Sequence, residues 1–252
     1  MKHIRDWLTT LPTVAAFGLA LAVFHLVALA ALPFGKRPFE KVMAALQRTL
    51  VSVFAISGVR VDTQGRDGFG PTGGYIFVSN HQSMFDVPIF GGLLGRNYPK
   101  YVAKRELAKG IPSISLNLRH GGNALIDRGD RTGAMDAIRD MASEAERRNV
   151  SVVIFPEGTR ARIGELGAFR VGGLTAIMEA APNLEIIPTA IDGSWRVFQR
   201  NMFPVPYGAD VHVRFGEPIP RVRGESPAEI LESCRVWIDE TIDGWRSGDD
   251  LA

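Results

Sequence analysis

Two short blocks hold the residues best suited to chemistry. They are Asn80-His81-Gln82-Ser83-Met84-Phe85-Asp86 and Phe155-Pro156-Glu157-Gly158-Thr159-Arg160. A histidine five residues before an aspartate supplies a base with an orienting partner. Neutral imidazole takes a proton from an alcohol while the carboxylate fixes its tautomer and orientation. The second block ends an apolar run (Val150, Val152, Val153, Ile154) with a carboxylate, a glycine and an arginine. Gly158 lets backbone come close to a ligand, Thr159 adds a hydroxyl donor, and Arg160 suits a phosphate gripped by two parallel hydrogen bonds. Glu157 either orients that arginine or accepts from a substrate hydroxyl. Together the blocks point to acyl transfer onto a hydroxyl of a phosphate-bearing molecule.

Each block has a plainer reading. Asp86 can serve a helix terminus electrostatically while His81 fills a turn, and spacing alone does not separate this from a base with its partner. The second block can be a solvated strand-end loop, although that role does not favour this combination of residues.

The elements that must position these groups follow from the pattern of apolar residues. Strands are expected at Tyr75–Ser79, Lys100–Ala103, Asn123–Ile126, Ser151–Phe155, Glu185–Ile191 and Val211–Phe215. Between them Phe85 to Leu94 reads as an apolar helix, Arg131 to Arg148 as a helix with Met135, Ile138, Ala142 and Ala145 on one face, and Gly172 to Ala181 as a shorter apolar helix. Ser226-Pro227-Ala228-Glu229 forms a capping box with proline at the first helical position, opening a last helix that buries Leu231, Cys234, Ile238 and Ile242. Strands alternating with helices indicate an α/β fold, with helices flanking a central sheet. His81 and Asp86 then fall where a strand ends and a helix begins, the place where open α/β sheets bind ligands. Gly68-Phe69-Gly70-Pro71-Thr72-Gly73 matches a dinucleotide fingerprint by letter. It lacks the strand before and the helix after that the motif needs, so it is a turn.

Composition narrows the function further. The chain has 252 residues, 46% apolar and 22% charged, with a net charge of +2, which fits one α/β domain with an appendage and does not suggest a nucleic-acid binder. One cysteine, Cys234, excludes an internal disulfide and a cysteine-rich zinc site, and no metal-ligand cluster is apparent. The N-terminus departs from this ordinary picture. Pro12 and Pro33 bracket Thr13–Leu32, a run of 20 residues with no Asp, Glu, Lys or Arg. As a helix it spans roughly 30 Å, about the thickness of a bilayer core. It is long for a signal peptide and too uniformly apolar for an ordinary core helix, so membrane anchoring is expected.

From Pro38 to Gly58 a second helix places Met43, Leu46, Leu50 and Phe54 on one face and Lys41, Arg48 and Ser52 on another. It suits a helix at a membrane surface and equally a helix packed on the catalytic domain. Lys36, Arg37, Lys41 and Arg48 after the apolar run outnumber Lys2 and Arg5 before it, which predicts a cell-membrane protein with its catalytic part on the cytoplasmic side. The expected division is residues 1–58 as membrane-anchoring helices and 59–252 as the catalytic domain.

Taken in order, the N-H-x-x-x-x-D and F-P-E-G-T-R blocks resemble those of the glycerolipid acyltransferase family, which includes bacterial 1-acylglycerol-3-phosphate acyltransferases. Ala103-Lys104-Arg105-Glu106-Leu107, Gly121-Gly122-Asn123-Ala124-Leu125-Ile126-Asp127-Arg128 and Ile186-Ile187-Pro188-Thr189-Ala190-Ile191-Asp192-Gly193 are similar to further family blocks, so the resemblance covers roughly Val59 to Pro218. It implies a mixed central sheet with an N-terminal membrane-embedded helical pair. It also implies a His81–Asp86 base that deprotonates a lysolipid hydroxyl for attack on an acyl thioester, without a covalent intermediate. Arg160, Arg128 and Lys104 would hold the acceptor phosphate, with Glu157, Gly158 and Thr159 binding substrate. No cofactor or metal is implied; the partners are lysophosphatidic acid or a related lysolipid, acyl-CoA or acyl carrier protein as co-substrate, and membrane lipid, with no nucleic acid.

Two positions depart from the family pattern. Phe169 is followed by Arg170 and Val171 rather than by two basic residues, and Pro112 leads into Ser113-Ile114-Ser115 where a glycine commonly follows. Both bear on the acceptor or the acyl channel and keep other lysolipids, including lyso-ornithine lipids, open as acceptors. A lipid hydrolase is the rival from another class, but its G-x-S-x-G elbow is absent and Ser194 lacks the second glycine. A non-catalytic lipid binder has no use for an oriented base.

Overall fold

The computed structural model describes residues 2–127, 129–161, 163–199, 203–222 and 224–248. Two helices, α1 (Lys2–Ala31) and α2 (Lys36–Phe54), precede a seven-stranded sheet. Its strands are β1 (Arg60–Gln64), β2 (Ile76–Ser79), β3 (Lys100–Lys104), β4 (Ala124–Ile126), β5 (Val152–Ile154), β6 (Ile186–Asp192) and β7 (Asp210–Phe215). Helices α3 (Asp86–Leu93), α4 (Ile114–His120), α5 (Arg131–Arg147), α6 (Val171–Ala180), α7 (Ser194–Val197) and α8 (Pro227–Ser247) connect and follow them.

The strand order is β1-β7-β6-β2-β5-β3-β4, parallel throughout except for the antiparallel β6–β7 pair. The sheet is therefore mixed, as expected. Central strands β2, β5 and β6 are buried along their whole length, which explains their continuous apolar runs. One face of the sheet carries a core shared with α5, α6 and α8, where Cys234 is fully buried and burial pushes its thiol up to about 12. The other face packs Phe77, Val153 and Ile187 against Ile89 and Phe90 of α3 and Phe54 of α2.

Three elements had no counterpart in the sequence pattern: β1, α4 and α7, the last a single turn of 4 residues. Strand β1 has alternating partial exposure at the sheet edge and one aliphatic residue, Val61, so it presents no apolar run. It is defined by its partner, pairing Arg60 to Asp210 through Gln64 to Arg214. Helix α4 spans only 7 residues, too few for periodicity to mark it.

Helix α1 begins well before Pro12, where the sequence suggested a boundary. Proline removes one bond from the helical ladder. On either side of Pro12, Thr10 Oγ1 bonds back to Asp6 O at 2.6 Å and Thr13 Oγ1 to Thr9 O at 2.8 Å. The same residues pin α1 to the domain. Asp6 accepts from the Tyr207 amide, Thr10 accepts from the Val205 amide, and Thr13 shares a hydrogen bond with Ser57. Further along, Ser113 donates its amide to His25 Nδ1 and its hydroxyl to Leu21 O. Ser113 has φ of 61°, the left-handed backbone that glycine tolerates best. The two bonds to α1 hold it there. The opposite face of α1 leaves Leu8, Leu11, Leu19, Val23 and Leu26 exposed, and this is the one helix among the described residues long and apolar enough to cross a membrane.

The apolar face of α2, read as suited either to lipid or to the domain, lies inside the protein. Met43, Leu46 and Leu50 pack with Leu21 and Ala28 of α1, while Phe54 joins the α3 side of the sheet core.

Candidate active site

Four strands, β2, β3, β5 and β6, deliver functional groups at or just beyond their carboxyl ends. Past β2 the chain turns through Asn80, whose side chain is fastened to β6 by reciprocal bonds with Ile191 O and Ile191 N at 2.8 and 2.9 Å. The next residue, His81, projects from this anchored turn. Its ring stacks on Phe155 with centroids 4.1 Å apart, and its Nδ1 lies 2.8 Å from Asp86 Oδ2.

Asp86 is the first residue of α3 and has no exposed surface. Every group around it donates. The amides of Gln82 and Ser83 reach Oδ2 at 2.7 and 3.0 Å, and the hydroxyls of Ser83 and Ser194 reach Oδ1 at 3.2 and 2.5 Å. Hydrogen bonds of this kind restrict the carboxylate to one orientation, and the helix start adds a favourable field. Because Asp86 accepts, the imidazole donates from Nδ1 and leaves the Nε2 lone pair for a substrate proton.

Ser194 carried no catalytic meaning in the sequence. It starts α7 just after Gly193, whose φ is +88° and whose added Cβ would stand 2.1 Å from Asp210 O. Only glycine fits this turn, and the turn aims Ser194 at Asp86. The Asp192-Gly193-Ser194 signal was visible in sequence, but the partner lies 108 residues away.

Beyond β5, Glu157 departs from its expected role. It is buried, and its carboxylate accepts the His81 amide at 2.8 Å and the Gly167 amide at 3.1 Å. It neither pairs with Arg160 nor faces an open space; it braces the backbone that carries the base. Burial, opposed by these two hydrogen bonds, leaves its carboxyl above the usual range. The Ala161 amide donates to His81 O at 2.7 Å, so the two sequence blocks are joined twice.

Gly158 has φ of +66°, and Gly158 and Thr159 are exposed at the turn. Arg160 is half-buried and has no ion-pair partner among the described residues. Arg170, at the start of α6, places Nη1 3.7 Å from where a Cβ on Gly158 would stand, so a second cation leans over the turn. Lys104 sits at the carboxyl end of β3, paired at the surface with Glu106 at 2.9 Å. Arg128 lies outside the described residues.

A latch closes the far side. Arg246 of α8 bonds both oxygens of Asp192, at 2.8 and 3.1 Å, and also donates to Gly164 O. Asp192 in turn accepts from Gln82 Nε2 at 2.8 Å. The loop after Arg160 is thereby tied to the residue that follows His81.

Comparison with known proteins adds independent findings. A family model described as "Acyltransferase" matches residues 60–192, more than half of the chain. The chain is 33% identical over 191 residues to a 1-acyl-sn-glycerol-3-phosphate acyltransferase alpha of Homo sapiens, covering 75% of this chain and 64% of that protein. It is 26% identical over 190 residues to a 1-acyl-sn-glycerol-3-phosphate acyltransferase of Pseudomonas aeruginosa, covering 74% and 70%. A 1-acyl-sn-glycerophosphate acyltransferase structure from Thermotoga maritima superposes with a TM-score of 0.80, 21% identity and 98% coverage of both chains, a likeness of fold. The chain spans about half to two thirds of the length of several curated relatives it matches.

Proposed function

Because the chain belongs to the acyltransferase family, we propose that it moves a fatty acyl group from an acyl thioester to the sn-2 hydroxyl of 1-acylglycerol 3-phosphate, giving phosphatidic acid. The observation that carries this reading is the His81–Asp86 contact, which leaves Nε2 of a braced imidazole open on a turn joined to the Arg160 loop.

In the proposed reaction Nε2 removes the proton of the acceptor hydroxyl, and the oxygen attacks the thioester carbonyl. The tetrahedral intermediate collapses with breakage of the C–S bond, and the imidazolium returns its proton to the departing thiolate. Asp86 holds the ring and stabilises the imidazolium without itself changing protonation. Arg160 grips the acceptor phosphate, with Arg128 and Lys104 as the helpers expected from sequence and Arg170 as a further cation over the same turn. The amides of Thr159 and Arg160 have no acceptor among the described residues and are donors available to phosphate or oxyanion.

Membrane attachment through the outer face of α1 goes with this reading. Its domain side is pinned from Asp6 to His25, over roughly 28 Å at 1.5 Å per residue, which supports immersion of one face rather than a free crossing. The proposed catalytic side is cytoplasmic, the leaflet whose anionic lipids attract basic residues such as those after the apolar run.

The test is an acyl-transfer panel on purified full-length protein, crossing several lysolipid acceptors with acyl-CoA and acyl carrier protein donors. A transferase needs both substrates, with 1-acylglycerol 3-phosphate preferred. Turnover of one lipid alone would indicate a hydrolase, and no turnover of any pair would overturn the reading.

A further inference from the structure

At the opposite end of the strands lies a second basic site. A cavity of about 530 Å³ opens where the chain enters β2, β3 and β5, and five cations line it: Arg37, Lys41, Arg48, Arg96 and Arg148. Among the described residues no Asp or Glu lines it. Arg37, Lys41 and Arg48 recur at helical spacing along α2, on the flank turned away from Met43, Leu46 and Leu50.

These cations fall into two groups. Arg148 gives both terminal nitrogens to Glu40 at 2.9 and 2.8 Å, and Arg37 bonds Glu40 at 3.4 Å while its guanidinium covers the Tyr98 ring at 4.5 Å. Both are already paired with this buried carboxylate and held in place. Lys41, Arg48 and Arg96 have no hydrogen-bonded or ion-paired acid among the described residues, so three positive charges converge on one concave space uncompensated. The floor is drawn in by the close approach of α3 to α2: a Cβ on Gly95 would stand 3.1 Å from Ala44 Cβ, and one on Gly92 3.3 Å from Arg48 Cγ. Tyr98 and Asn149, which also line the cavity, are two of the three non-glycine residues with positive φ among the described residues, at 49° and 51°. Uncompensated cations on ordered walls select a compact, multiply charged anion.

We infer that this cavity binds a phosphomonoester, presented either by an anionic lipid headgroup or by a free phosphate compound. It is distinct from the site at His81. Gly73 in the cavity and His81 lie beyond opposite ends of β2, with the whole of that strand between them. The sn-2 hydroxyl of a lysolipid lies only a few bonds from its own phosphate, so one acceptor molecule cannot occupy both. The inference does not depend on the acyl-transfer reading.

Isothermal titration of full-length protein in neutral detergent tests it, with inorganic phosphate and micelle-dispersed dihexanoyl phosphatidate as probes. Each probe is run in the wild type and in an Arg160→Gln background. The expected result is a saturable site that persists in Arg160→Gln and weakens about tenfold or more in Lys41→Gln/Arg48→Gln/Arg96→Gln. A control with equal charge change at surface positions, Lys109→Gln/Arg139→Gln/Arg235→Gln, keeps it. Full competition by inorganic phosphate identifies the phosphate group alone as the ligand, and binding of phosphatidate only identifies a lipid source. Should the triple variant fail to fold, Arg96→Gln, an exposed side chain, is expected to weaken binding about threefold. Undiminished binding in the folded cavity variants, equal loss in the control, or disappearance of all binding in Arg160→Gln overturns the inference.

Discussion

The two ends of strands β2, β3 and β5 handle charge in opposite ways. At the carboxyl end the buried acids are saturated with donors: Asp86 by His81, Gln82, Ser83 and Ser194, Glu157 by two amides, and Asp192 by Gln82 and Arg246. The groups left open there, among the described residues, are one imidazole nitrogen and, on the adjoining turn, the Arg160 guanidinium with the Thr159 and Arg160 amides. At the amino end one buried acid, Glu40, holds Lys100, Arg148 and Arg37, and three further cations have no paired acid among the described residues. Catalysis by a base requires that its surroundings be fixed before substrate arrives, so donors and acceptors are matched internally. Binding an anion requires charge left unmatched until the ligand supplies it. The contrast separates a site built for reaction from one built for capture.

The sharpest way to break this contrast is His81→Ala. Acyl transfer is expected to fall by at least about a thousandfold, the upper part of what a general base contributes, with little loss of thermal stability because the ring is partly exposed. Near-normal turnover by the folded variant would end the proposed mechanism. Asp86→Asn is also expected to be severe, but it is a less clean test. An amide there faces donors on every side, so melting temperature as well as turnover should drop, and measuring both separates the two losses.

Next in size is Glu40→Gln, which acts on stability rather than chemistry. It leaves Lys100 buried without its partner, and a cost of about 3–5 kcal/mol in denaturant unfolding is expected. Burial pushes the Glu40 carboxyl up, but the hydrogen bond from Arg148 and the charge and hydrogen bond of Lys100 outweigh it and hold the value below the ordinary 4.5. A carboxylate lowered in this way contributes stability that is whole above the unfolded value and is lost as pH falls through the folded one. Wild-type stability should therefore decline on acidification below about pH 4.5, and Glu40→Gln should flatten that part of the curve. An unchanged slope would remove Glu40 as the hub of the amino end.

Ser194→Ala removes one donor to Asp86 and should lower kcat about tenfold, the value of a hydrogen bond to a charged group, with lysolipid KM unchanged. A positioning role also shifts the pH–rate profile, because the histidine partner has changed; a purely structural serine would lower stability and leave that profile alone. The smallest effect is expected from Arg160→Lys, a several-fold rise in lysolipid KM with little change for the acyl donor, since an ammonium cannot reproduce the planar grip. If only the donor's KM moves, Arg160 holds the donor instead.

Much of this molecule was legible in its order of residues. The six expected strands are all present within a residue or two; the central β2, β5 and β6 are buried throughout and β7 alternates buried with half-buried positions, both patterns that a sequence displays. The His81–Asp86 contact followed from a spacing that places both at one strand-to-helix turn, a local matter. The apolar stripe of α2 was equally plain, but which neighbour covers it was not, since lipid and protein reward the same pattern; packing against α1 and α3 decided it. Strand β1 was invisible because an edge strand takes its definition from a partner 150 positions away. Glu157 shows the limit most clearly. Its sequence neighbours, Gly158 and Arg160, suggested a substrate-facing carboxylate, yet its partners are the His81 amide, 76 residues earlier, and the Gly167 amide. Sequence determined which chemical groups stand at the strand ends, because strand and helix periodicity is local. Tertiary structure alone decided which of those groups are used up in holding one another and which remain free, because that depends on donors and acceptors brought together by the sheet order.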